Sequence, residues 1–221
     1  MNASEIQFEN LCKTSGITYQ RIPEGERKSP DYFIKGWDFN ALVEIKEICP
    51  NPEEKRLARL PLEEWGEKEC TYYGGPPGDR IRNKINDAMK QFKAYQGNEF
   101  PYIIVIANLT IYPELTDQYA ITSAMFGYEA ILISSEVAPE GGAKILKRWH
   151  GHGKKTTTTH NRSLSAIGVL DMTQPLLHIF HNPYAVKPIS NSTLNSLSFI
   201  HMRVCNDPSL SFAVWQEQKN L

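Results

Sequence analysis

Three residues in the first quarter of the chain have the types and spacing for divalent-cation chemistry. They are Asp31, within Ser29-Pro30-Asp31-Tyr32-Phe33, and Glu44 and Lys46, thirteen and fifteen positions later. Two carboxylates hold a hard divalent cation through oxygen. A cation so held polarises a phosphoryl oxygen and activates a water, and an ammonium beside it orients that water or offsets developing charge. Those are the parts that phosphodiester hydrolysis requires. Along an extended strand, residues two apart share a face, so Glu44 and Lys46 point together while Val43 and Ile45 turn apolar side chains the other way. Asp31, on or just before a neighbouring strand, then comes alongside Glu44, with the main-chain carbonyl of Ile45 as a third oxygen ligand. Each fragment alone is common, since Glu-x-Lys also describes a solvated strand face and an aspartate often caps a turn. Pro-Asp directly before an aromatic and aliphatic strand, in this order and at this spacing, favours the site.

The elements that must position these residues follow from local pattern. Ser4 is the expected cap of a helix running to about residue 14, with Phe8, Leu11 and Cys12 as its apolar stripe and Gly16 ending it. Segments 18–22, 32–34 and 39–48 read as strands, the last two as a hairpin through Lys35-Gly36. Residues 50–79 are rich in charge, proline and glycine, with a short helix over 53–60 and a loop through Tyr72-Tyr73-Gly74-Gly75-Pro76-Pro77. From Asp79, its expected cap, a helix lines up Ile81, Ile85, Ala88, Phe92 and Tyr95. Arg80, Lys84, Asp87 and Gln91 form a continuous polar stripe along its flank. A strand over 102–107, a helix over 116–125 and strands over 128–133, 165–172, 176–181, 198–204 and 210–215 complete the pattern. Between them lies a basic segment with Lys144, Lys147, Arg148, Lys154, Lys155 and Arg162. It either tracks a phosphate backbone, with Trp149 stacking on a base, or is a solvated loop.

The order of helix, three strands carrying Asp31, Glu44 and Lys46, then helix, strand, helix and strand resembles the PD-(D/E)XK nuclease superfamily over residues 1 to about 135. The resemblance implies an α/β fold with a mixed central β-sheet flanked by helices. It implies one domain: a restriction-endonuclease-like core, an insertion at about 50–79 and extra C-terminal strands in an extension from about 136 to 221. It implies Mg²⁺ or Mn²⁺ as cofactor, Asp31, Glu44 and Ile45 as ligands, and Asp31, Glu44, Lys46 and Gln91 as the catalytic set. Glu9, in Phe8-Glu9-x-Leu11 ahead of Gly16-Ile17, matches a glutamate that reaches the metal in many members; an ordinary surface position explains Glu5 and Glu9 equally well. Lys84 and Gln91 match the basic or glutamine residue that members carry on the helix facing the site, where they would hold a phosphate or a water. Arg80, on the same stripe, reads at least as well as a solvated flank.

Composition narrows the remaining classes. With 221 residues, 41% hydrophobic and 22% charged, the chain has room for a sizeable core. A net charge of −1 provides no global basic field, so a nucleic-acid partner would rely on a local patch. Cys12, Cys49, Cys70 and Cys205 include no Cys-x-x-Cys pair, which points to reduced thiols and a cytoplasmic compartment. The N-terminal residues lack a basic region before an apolar run, and the apolar run at 102–107 is too short to span a bilayer, so no membrane association is expected. His178 and His181 are three apart in an expected strand and point to opposite faces, which argues against a shared ion. No phosphate-binding glycine loop or Gly-x-Ser-x-Gly is present. The expectation is therefore a Mg²⁺-dependent nuclease acting on DNA. The alternatives are an RNA-directed nuclease with the same site, or a non-catalytic nucleic-acid or protein-binding module of the same fold. A homodimer would suit cleavage of both strands of a duplex.

Overall fold

The computed structural model describes residues 1–23, 25, 28–36, 40–59, 75–95, 99–137, 143–189 and 198–218. Half of the expected insertion, including Tyr72 and Tyr73, lies outside the described residues, as does Cys70. The chain begins with α1 (Ala3–Thr14), β1 (Thr18–Arg21), β2 (Tyr32–Lys35) and β3 (Asn40–Ile48). Then come α2 (Pro52–Leu57), α3 (Asp79–Ala94), β4 (Tyr102–Asn108), a 3-10 turn (Pro113–Thr116) and α4 (Gln118–Phe126). The strands β5 (Glu129–Val137), β6 (Ala143–His150), β7 (Leu164–Leu170), β8 (Leu177–His181), β9 (Phe199–Val204) and β10 (Trp215–Gln218) complete it. Among the described residues no helix is long and apolar enough to cross a membrane.

The architecture is α/β, with a mixed eight-stranded sheet in the order β1-β2-β3-β4-β7-β8-β9-β10. β1, β2 and β3 are antiparallel neighbours, and β3, β4 and β7 run parallel at the centre. The central strands read as unbroken apolar runs because both faces are covered. One face carries α3 and α4 over Leu42, Ile48, Ile104, Ile106 and Ile167. The other carries α1, with Phe8 and Leu11 against Val43, Ile45, Ile103 and Val105.

Several local expectations are corrected. Asn2, not Ser4, caps α1: its side chain accepts from the Glu5 N–H and Glu5 returns a bond to the Asn2 N–H. Ser4 is buried inside the helix, donating to Glu47 at 2.8 Å. α3 starts after Gly78, which has φ of 79° and no side-chain cap. Asp79 instead bonds Arg82 and the Tyr128 hydroxyl. The strand expected at 128–133 is β5, but it pairs with β6 in a separate two-stranded ribbon. The place beside β4 goes to β7, whose Leu-Ser-Ala-Ile-Gly-Val-Leu run has small or apolar residues for both faces. The sheet therefore draws β7 to β10 from the region expected to be an extension. The last strand lies beyond the expected 210–215, because Asn206 bonds Ser211, Phe212 and Val214 and holds that stretch as a loop. Trp215 then seats its indole N–H on Thr122 at 2.7 Å.

Candidate metal centre

β3 bonds β4 through its even residues, since the Leu42 N–H reaches Pro101 O and Ile48 O receives the Leu109 N–H. Its odd residues therefore turn their N–H and C=O groups toward β2. The β2–β3 ladder ends at the pair Tyr32 and Val43. Ile45 lies past that end, and the Asp31 carboxylate takes the place of a strand there, accepting the Ile45 N–H at 2.7 Å. The Ile45 carbonyl points to the same side, into the gap where β2 stops. Pro30 suits this position because it lies ahead of β2, where the ladder needs no N–H from it. The Asp31 carbonyl still receives the Ile22 N–H at 2.9 Å, which keeps the segment extended.

Glu44 and Lys46 share the face of Leu42 and Ile48, toward α3. Lys46 Nζ donates to Glu44 Oε1 at 2.5 Å and to Gln91 Oε1 at 2.7 Å. Gln91 Nε2 in turn lies 3.5 Å from the Ser29 carbonyl, just ahead of Pro30. The expected set of Asp31, Glu44, Ile45, Lys46 and Gln91 is thus brought together by the end of β2, the middle of β3 and the last turn of α3. Lys84, half-buried, and Asp87 continue the α3 stripe. The Asp87 carboxyl sits below its usual range because of Lys90 first, with the charges of Lys46 and Lys84 contributing.

Glu44 is 1% exposed. Its pKa is raised to about 7, first by burial and then by the Asp31 charge, while Lys46 and Gln91 oppose the rise. Its second oxygen, Oε2, is buried and has no hydrogen-bond partner among the described residues. A buried carboxylate oxygen left without a partner is costly, and a cation removes that cost. The oxygen donors and their excess negative charge fit a hard divalent ion such as Mg²⁺ or Mn²⁺. Among the described residues no group of three or more histidine, cysteine, aspartate or glutamate side chains converges, so such an ion would draw on the Ile45 carbonyl and water.

No family model, curated protein or solved structure matches the chain.

Other expected residues lie elsewhere. Glu9 belongs to α1 on the opposite face of the sheet. There its carboxylate accepts from Tyr19 at 2.9 Å, Arg21 at 2.6 Å and Tyr32 at 3.1 Å. These bonds hold its pKa below the carboxylate norm against the cost of burial, and it is not a member of the cluster. Arg80 is on the stripe, but its guanidinium grips the buried Glu54 with bonds of 2.5 and 3.1 Å, a structural tie between α3 and α2. Lys154 and Lys155 follow Gly153, whose carbonyl receives Arg82 on the other flank of α3, and the Lys155 N–H is tied to Met125 O. Neither lysine is near the carboxylates. His150 is filled at both nitrogens, by Gly127 O and the Ala213 N–H. The residue that sequence reasoning missed is Ser29, whose carbonyl anchors the Gln91 amide; no side-chain pattern signals a main-chain partner.

Proposed function

We propose that the chain is a divalent-cation-dependent nuclease with a restriction-endonuclease-like core, and that it hydrolyses phosphodiester bonds in DNA. The observation that carries this reading is the buried Glu44 Oε2, without a hydrogen-bond partner among the described residues, on a carboxylate that feels the Asp31 charge and holds a lysine restrained by two hydrogen bonds. Asp31, Glu44 and the Ile45 carbonyl would hold the cation, which when bound supplies Lewis acidity toward a phosphoryl oxygen and a more acidic water. Lys46 contributes a positive charge whose position does not depend on substrate, because Glu44 and Gln91 restrain its ammonium. Such a preset donor stabilises charge developing on a phosphate oxygen without reorganising. It also orients a water for in-line attack. Lys84, on the same stripe, is a further cation for an adjacent phosphate.

The test is to incubate the chain with supercoiled plasmid, single-stranded DNA and structured RNA, in Mg²⁺, in Mn²⁺ and in chelator. The reading expects plasmid nicking that chelator abolishes and that Asp31→Ala or Lys46→Ala lowers by at least about a hundredfold. Cleavage confined to RNA would keep the site and change the substrate. Wild type and both variants behaving alike on every substrate would refute it.

A further inference from the structure

The ribbon of β5 and β6 stands outside the eight-stranded sheet, and an isolated two-stranded ribbon is at best marginally stable in water. Residues directly opposite in an antiparallel pair point to one face. Ile133 opposes Ile145, and Ile131 opposes Arg148, so three isoleucines share a face. They are 57%, 50% and 44% exposed for Ile133, Ile145 and Ile131. Arg148 on that face is already paired with Glu129 at 2.6 Å, which leaves no uncompensated charge among the described residues of the face. The opposite face differs. Leu132 opposes Lys147 and Ala130 opposes Trp149, with the Lys147 ammonium 5.8 Å from the indole ring centre.

We infer that the isoleucine face is the contact between two copies of this chain, packed face to face about a two-fold axis. The charge balance of the face selects a second copy. A symmetric contact places each patch against itself, so charged faces meet like charge, whereas this one brings together only aliphatic groups and internally neutralised ion pairs. Leu146, 54% exposed, adds aliphatic surface where the register between the strands shifts. About half of each isoleucine side chain is open to solvent, a contiguous aliphatic surface of the kind that marks an interaction site. The inference does not rest on the metal centre.

Sedimentation equilibrium of the full chain over a concentration series tests it. The wild type is expected to reach 50.4 kDa, twice the 25.2 kDa of one chain. Ile133→Lys, at an exposed position, is expected to sediment as a single chain with an unchanged far-ultraviolet spectrum. Lys147→Glu, on the other face, is expected to remain dimeric. A wild type that stays at one chain's mass throughout, or a dimer that survives Ile133→Lys, overturns the inference.

Discussion

Glu44 carries a charge that the fold does not fully compensate. With chelator present, the sign of its effect on stability follows from its pKa, about 7 against an ordinary 4.5. Between those values the unfolded chain has released the proton and the folded chain retains it, so stability falls as pH rises through this window and stays lower above it. The penalty at high pH is at most about 3 kcal/mol. Glu44→Gln is therefore expected to raise the Tm relative to wild type at about pH 8 and to lose that advantage at about pH 5. Calorimetric melting at both pH values checks this, and a pH-independent difference would contradict it. Lys46 plays the complementary part. Lys46→Ala is expected to lose cleavage but keep cation affinity, whereas Asp31→Asn loses both.

At the scale of elements, α3 delivers Gln91 to Lys46, and its seating depends on Gly78. That residue has φ of 79°, and a Cβ there would lie 2.5 Å from Ala120 O and 2.8 Å from the Ala124 nitrogen in α4. Gly78→Ala is expected to cost at least about 2 kcal/mol, read as a lower urea midpoint, because both strain and collision oppose it. Gln91→Ala, in contrast, is expected to leave stability nearly unchanged and lower kcat by about tenfold, since only the lysine's restraint is lost. Asp31, Glu44 and Lys46 were legible in the sequence because two-residue periodicity and a short hairpin fix their relative placement. Gln91 was legible because helical spacing puts it on the stripe with Lys84. Glu9 was not, because an amphipathic stripe such as Phe8, Leu11 and Cys12 shows that a helix packs on a sheet without saying which face. β5 was legible as a strand but not as part of a ribbon, since alternation carries no information about partners. Strand 210–215 was misplaced because the side-chain bonds of Asn206 overrode its apolar pattern.

For the whole molecule, acid stability depends on histidines that the fold keeps uncharged. His181 is buried and bonds His201 at 2.8 Å. Burial, then the charges of Arg203 and His201, pulls its pKa down to about 2. Burial also lowers His150. Below their ordinary 6.5 the unfolded chain takes up protons that the folded chain refuses, so stability falls as pH drops from 6.5. Each such histidine contributes up to about 1.4 kcal/mol per pH unit. Urea midpoints are expected to decline between about pH 6.5 and about pH 5, with a smaller slope in His181→Gln. A slope unchanged in His181→Gln would mean that this ring is not held neutral. The mixed sheet that buries His181 and His201 also begins β2 one residue after Asp31, and the gap left beside β3 there is the basis of the functional reading. Electron paramagnetic resonance of Mn²⁺ titrated into wild type and Asp31→Asn tests it most directly. Saturable binding by the wild type that Asp31→Asn abolishes is the predicted result. Equal binding by both proteins, or none by the wild type, would contradict the metal centre.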